Sequence, residues 1–136
     1  MGGAARVDRR ARRAAARAVE AHAQPLLAAA LPRLAGWHIA PLVVVRQGRV
    51  AIGDEIANAL RADIAVMLIG ERPGLSAPDS MGAYLTFRPT PQTTDADRNC
   101  ISNIRPEGLA YADAAVTLTH LLRATRARCA PTSRSC

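Results

Sequence analysis

The feature that most constrains this chain is the unbroken apolar run Ile64-Ala65-Val66-Met67-Leu68-Ile69, which stops abruptly at Gly70-Glu71-Arg72-Pro73-Gly74-Leu75-Ser76. A run of that length, bounded by turn formers, reads as a strand buried on both faces. Pro73 fixes its own φ and biases Arg72 toward extended geometry, while Gly74 can take positive φ, so the loop is stiff. Open α/β sheets bind ligands just beyond the carboxyl ends of their strands. Glu71, held at such an end, is therefore a candidate binding residue. A second polar stretch, Asp97-Arg98-Asn99-Cys100-Ile101-Ser102-Asn103-Ile104-Arg105-Pro106, supplies Cys100. The expectation is that Glu71 and Cys100 line one crevice.

Around these stretches the chain alternates helix and strand. Residues 4 to about 35 are dominated by Ala, Arg and Leu, with a break expected near Gln24 and a new helix from Pro25 to Leu34, closed by Gly36. Leu42-Val43-Val44-Val45 reads as a buried strand. Val50, Ile52, Ile56 and Leu60 share a helical face, and Asp54 and Glu55 sit where the helix dipole favours acids. Residues 63–69 and 82–87 read as strands, the latter alternating Ala83, Leu85 and Phe87 with Tyr84, Thr86 and Arg88. Residues 89–108 read as mostly loop. Residues 110–127 supply a closing amphipathic helix through Ala114, Leu118, Leu121 and Leu122. This order predicts a small three-layer, Rossmann-like α/β unit with a largely parallel sheet and helices on both faces. Residues 18–124 form the expected domain, with a basic N-terminal tail over 1–17 and a disordered tail over 125–136.

The formal charge of +7 invites a nucleic-acid reading, but its distribution argues against one. The Arg residues that make the chain basic cluster in 1–17 and 123–136, whereas the stretch between carries more acids than bases. With only one Trp, two Tyr and one Phe there is no stacking platform for single strands. The apolar runs fall short of a membrane span. The three cysteines, Cys100, Cys129 and Cys136, show neither disulfide nor metal spacing, which fits a reducing, cytoplasmic setting.

Self-contained chemistry is not visible. There is no Gly-x-Gly-x-x-Gly, no phosphate-binding Gly-x-x-x-x-Gly-Lys-Ser/Thr and no His-Glu-x-x-His. Cys100 reads as a small buried hydrophobe or as a contact to a large ligand; nucleophilic chemistry would need a base, and His22, His38 and His120 lie elsewhere in sequence. Glu71 is either a ligand-orienting carboxylate or half of a solvated pair with Arg72. No residue is assigned a catalytic role or a metal. A stand-alone nucleotide- or phosphate-binding module at the same crevice is the alternative reading.

The two polar stretches, joined by Val43-Val44-Val45-Arg46-Gln47-Gly48-Arg49-Val50 and Ser80-Met81-Gly82-Ala83-Tyr84-Leu85-Thr86, closely resemble the C-terminal part of the small subunit of ethanolamine ammonia-lyase, from about Ala18 to about Arg123. The resemblance implies an adenosylcobalamin-dependent lyase that deaminates ethanolamine to acetaldehyde and ammonia, in a hetero-oligomer whose large subunit carries the radical chemistry. It also implies base-on binding of the cofactor, with corrin contacts at Val50, Glu71 and Cys100. The cytoplasmic setting would include a bacterial microcompartment where the host builds one. The stretch holding Arg9-Arg10-Ala11-Arg12-Arg13, and the end from about Thr125, depart from the family's pattern, so a shortened copy is expected.

Overall fold

In the computed structural model, residues 17–46, 48–71 and 80–128 are described. Of the expected tails over 1–17 and 125–136, residues 1–16 and 129–136 lie outside them, as does the whole Arg72–Ser76 turn, while residues 125–128 belong to a helix rather than to a disordered tail. Residues 17–30 form helix α1, which runs straight through Pro25 without the break expected near Gln24. Ala18, His22, Leu26 and Ala30, spaced four apart, are all buried, so one continuous stripe packs on the core. That burial outweighs the single backbone hydrogen bond Pro25 cannot donate. A 3₁₀ turn, Leu31–Leu34, follows, and Gly36 leaves it with a φ of 86°.

Helix α2, Ile52–Ala59, carries Asp54 and Glu55 in its first turn. Three strands come next: β1 (Ile64–Gly70), β2 (Met81–Phe87) and β3 (Arg98–Ile104). They lie in the order β1-β2-β3, and both pairings are antiparallel. The expected parallel, Rossmann-like sheet is thereby corrected to a small antiparallel meander. Parallel neighbours need a crossover of a dozen or more residues, usually a helix, and the links over 71–80 and 88–97 are too short for one.

The sheet differs from the expectation at two segments. Residues 42–45 form no strand, and Leu42, Val43 and Val44 are 67%, 52% and 93% exposed. Conversely, β3 lies inside the stretch read as loop. Its start is set by the 3₁₀ turn Asp95–Asp97, capped by Thr94, whose amide donates to Asp97 Oδ2 at 2.8 Å. Its two-residue period is broken by a bulge: Ala83 pairs with Ile101 but Met81 with Ile104, so Ser102 and Asn103 oppose Gly82 alone. Asn103 takes a φ of 60°, a left-handed conformation that Asn tolerates better than most residues.

Helix α3, Tyr111–Arg128, closes the fold. Its Ala114, Ala115, Leu118 and Leu122 join Leu26 and Ala30 of α1 against Met81, Ala83, Leu85, Ile101 and Ile104 of the sheet. The two helices are tied by His22 Nδ1 and the Tyr111 hydroxyl, 2.6 Å apart. Both cover one sheet face. Helix α2 lies on the other, where Gly53 approaches Met67 closely enough that a Cβ there would sit 3.6 Å from the Met67 Cβ. No helix among the described residues is long and apolar enough to cross a membrane.

Candidate functional site

The candidate residues sit on the α2 face of the sheet, where strand alternation turns every second side chain. In antiparallel pairing, directly opposed residues share a face, so the register defines three transverse rows. Ala65, Thr86 and Arg98 form the first, Met67, Tyr84 and Cys100 the second, and Ile69 with Gly82 the third. The core residues Leu85 and Ala83 point the opposite way.

The first row is a buried clamp. Arg98 reaches over Thr86 to α2, donating from Nη1 to Asp54 Oδ1 at 2.6 Å and from Nη2 to Asp54 Oδ2 at 2.8 Å. A third bond runs from Nη1 to Thr86 Oγ1 at 2.9 Å, and Nε donates to Asp95 Oδ1 at 3.3 Å. The Arg98 and Asp54 side chains are only 4% and 10% exposed. The hydrogen bonds to Asp54 raise the Arg98 pKa further, against the opposing effect of burial. This pair joins the helix preceded by Val50 to the strand that carries Cys100.

Cys100 is exposed, with its Sγ 3.3 Å from Ser102 Oγ. Tyr84, its direct partner across the pairing, is half-buried. The Tyr84 phenol is pushed up to about 12, first by its hydrogen bond to the Cys100 thiol, then by burial and by the nearby thiol and the carboxylates of Glu71 and Asp95. It is a neutral hydroxyl throughout the physiological range.

Glu71 continues the β1 edge of the hairpin, its amide donating to the Ser80 carbonyl at 3.0 Å. Its side chain crosses above Gly82 and accepts the Asn103 N–H on Oε1 at 2.6 Å. Gly82 leaves room beneath the crossing: a Cβ there would lie 3.3 Å from Tyr84 Cε2, a tight approach, and 3.5 Å from Glu71 Cγ, an ordinary contact. One carboxylate oxygen thus fixes the bulge. Among the described residues, Oε2 has no hydrogen-bond partner.

The structure therefore gathers Glu71 and Cys100 on one face, with Tyr84 between them. Val50 lies apart from them in sequence, in the turn before α2, where its carbonyl accepts the Gly53 N–H at 3.1 Å, and no hydrogen bond among the described residues joins it to Glu71 or Cys100. Sequence reasoning missed Tyr84, although the alternation within 82–87 already set it opposite Ala83 and Leu85. It also missed the Asp54–Arg98 pair, which joins positions far apart in sequence and leaves no local signal. Among the described residues no group of three or more His, Cys, Asp or Glu could hold a metal ion.

Among the described residues this face presents a carboxylate, a phenol, a thiol and a hydroxyl, groups that can make polar contacts to a ligand. Sequence comparison supplies the chain's family. Residues 14–131 match the model of the ethanolamine ammonia-lyase light chain (EutC), and the chain belongs to that family. It is 59% identical over 108 residues to the ethanolamine ammonia-lyase small subunit of Azotobacter vinelandii and 56% identical over the same length to that of Ralstonia nicotianae. Each match covers 78% of this chain but 40% of the relative, so the chain spans well under half the length of the relatives it matches. The small subunit of Pseudomonas aeruginosa is 59% identical over 88 residues, 65% of this chain and 32% of that protein.

Proposed function

We propose that this chain acts as part of the small subunit of an adenosylcobalamin-dependent ethanolamine ammonia-lyase, working in a hetero-oligomer with the large subunit to convert ethanolamine to acetaldehyde and ammonia. The observation that carries the reading is 59% identity to a small subunit over most of the chain. The site is compatible with it. Corrinoids carry a fringe of amide groups, which need both acceptors and donors, and the α2 face offers Glu71 Oε2, the Tyr84 hydroxyl and the Ser102 hydroxyl beside the Cys100 thiol.

In this reading Glu71 accepts an amide hydrogen from the ring's edge, Cys100 gives a small contact surface, and Val50 packs against hydrocarbon. Bound cofactor supplies the radical-generating cobalt–carbon bond, and protein supplies position. In the same reading the large subunit holds the substrate and this chain helps to hold the cofactor.

The test is to co-express the chain with a large subunit, isolate the complex through a tag on the large subunit, and assay acetaldehyde with and without adenosylcobalamin. Co-purification with cofactor-dependent acetaldehyde formation is expected. Absence of both, with the large subunit active beside a full-length small subunit, refutes the proposal.

A further inference from the structure

We infer that Tyr84 is a cofactor-contacting residue, the side chain that joins Glu71 to Cys100 into one continuous wall. The inference rests on the proposed function and adds a residue to it. Three observations carry it. The register places Tyr84 directly opposite Cys100 on the α2 face, away from the core. Gly82 leaves a gap into which the edge of the Tyr84 ring and the stem of Glu71 both lean, since a Cβ there would touch Cε2 at 3.3 Å and Cγ at 3.5 Å. Finally, Glu71 and Cys100 are each anchored on the β3 side, by the Asn103 N–H at 2.6 Å and the Ser102 hydroxyl at 3.3 Å. A large flat ligand that rests on Glu71 and on Cys100 must pass over the side chain between them.

The chemistry of a phenol suits that position. Its ring gives a broad apolar surface to the hydrocarbon of a macrocycle, and its hydroxyl can donate to or accept from a peripheral amide. Because the hydroxyl keeps its proton well above neutrality, it adds no second negative charge next to Glu71. The wall thus presents one carboxylate flanked by neutral hydrogen-bonding groups, which matches amides and disfavours ligand carboxylates.

The test uses the full chain with Cys129→Ser and Cys136→Ser, which leaves Cys100 as its sole thiol, assembled with the large subunit. Adenosylcobalamin is the probe. Two readouts are taken: the dissociation constant, from cofactor absorbance retained on gel filtration, and the rate at which iodoacetamide alkylates Cys100 with and without cofactor. Tyr84→Phe, which keeps the ring, should weaken binding by about threefold, the scale of one hydrogen bond. Tyr84→Leu should weaken it by tenfold or more, and the protection of Cys100 should fall in parallel. If the unsubstituted complex binds cofactor and protects Cys100 while both variants do so equally well, the inference is overturned and the proposed function stands. If the unsubstituted complex binds no cofactor, both fall. Should Tyr84→Leu not assemble, Tyr84→Phe decides: unchanged affinity overturns the inference.

Discussion

Removing the Asp54 carboxylate should destabilise this fold more than any other single polar substitution on the α2 face. In Asp54→Ala the Arg98 guanidinium would stay where its side chain is only 4% exposed, having lost bonds of 2.6 and 2.8 Å. What remains is the neutral Thr86 hydroxyl at 2.9 Å and Asp95, whose side chain is 99% exposed and so offers a screened, weak interaction. Breaking a buried ion pair from one side costs about 3–5 kcal/mol, because the surviving charge is left desolvated and uncompensated. Against a total stability of about 5–15 kcal/mol, such a loss brings the fold close to its limit. With a urea slope of about 1.5 kcal/mol per molar, the unfolding midpoint falls by about 2–3 M. Circular dichroism of the helices and fluorescence of Trp37, the chain's single tryptophan, should report one coincident transition. The diagnostic arm is the double variant Asp54→Leu, Arg98→Met, in which no charge is stranded. It should recover to within about 1–2 kcal/mol of the unsubstituted chain, the residue reflecting the orphaned Thr86 hydroxyl. A midpoint shift below about 0.5 M for Asp54→Ala, or a double variant no more stable than the single one, would refute the account of a desolvated clamp.

Three further outcomes follow from the same face. Gly82→Ala should cost about 1 kcal/mol by urea denaturation, since the new methyl asks the Tyr84 ring to give by a few tenths of an ångström while meeting the Glu71 stem at ordinary contact distance; an equally stable variant would mean that the ring yields freely. Glu71→Ala should cost only about 1 kcal/mol but accelerate hydrogen exchange at the Asn103 amide, whose acceptor it removes; unchanged exchange there would show that the bulge holds without it. Tyr84 binds its proton more tightly in the fold than in the unfolded chain, so its stabilising contribution is complete below pH 10.0 and is lost as pH rises toward about 12. In a Tyr111→Phe background, absorbance near 295 nm should show no phenolate below pH 10, and Cys100→Ala should bring its onset to lower pH. An unchanged onset would assign the shift to burial and to the carboxylates of Glu71 and Asp95 instead of the thiol.

How much of this was legible in the sequence depends on whether the signal was local. The apolar run at 64–69, by its length and its bounding turn formers, and the alternation at 82–87, by its period, both read as strands, and both are strands. Helix α3 was likewise legible from Ala114, Leu118 and Leu122, which are buried as their spacing requires. Strand β3 was not, because its exposed face is Asn and Ser and its bulge shifts Ile104 out of step with Ile101. Strict alternation rejects such a segment even though its backbone pairs with β2 on both sides of the bulge. Missing β3 also reversed the sheet: with a strand placed at 42–45 and none at 98–104, the order of elements looked like a βαβ crossover rather than a meander.

The segment 42–45 and the cluster at Tyr84 fail for the same reason, which is that a side chain's role depends on what lies opposite it. Leu42-Val43-Val44-Val45 has the β-branched composition of a strand, but propensity of this kind measures how well a residue fits a paired, half-buried surface. Among the described residues no ladder partner pairs with it, and Leu42, Val43 and Val44 stand exposed. Tyr84 is the converse case. Its own sequence context marks it as the outward position of an ordinary strand; only the pairing with Cys100, and the bare glycine two residues earlier that lets Glu71 lean in beside it, make it the centre of the candidate surface. The carboxylate and the thiol were visible because their residue types carry chemistry. The residue that joins them is defined by register alone, and register is fixed here by two short connections and one bulge that no composition or periodicity encodes.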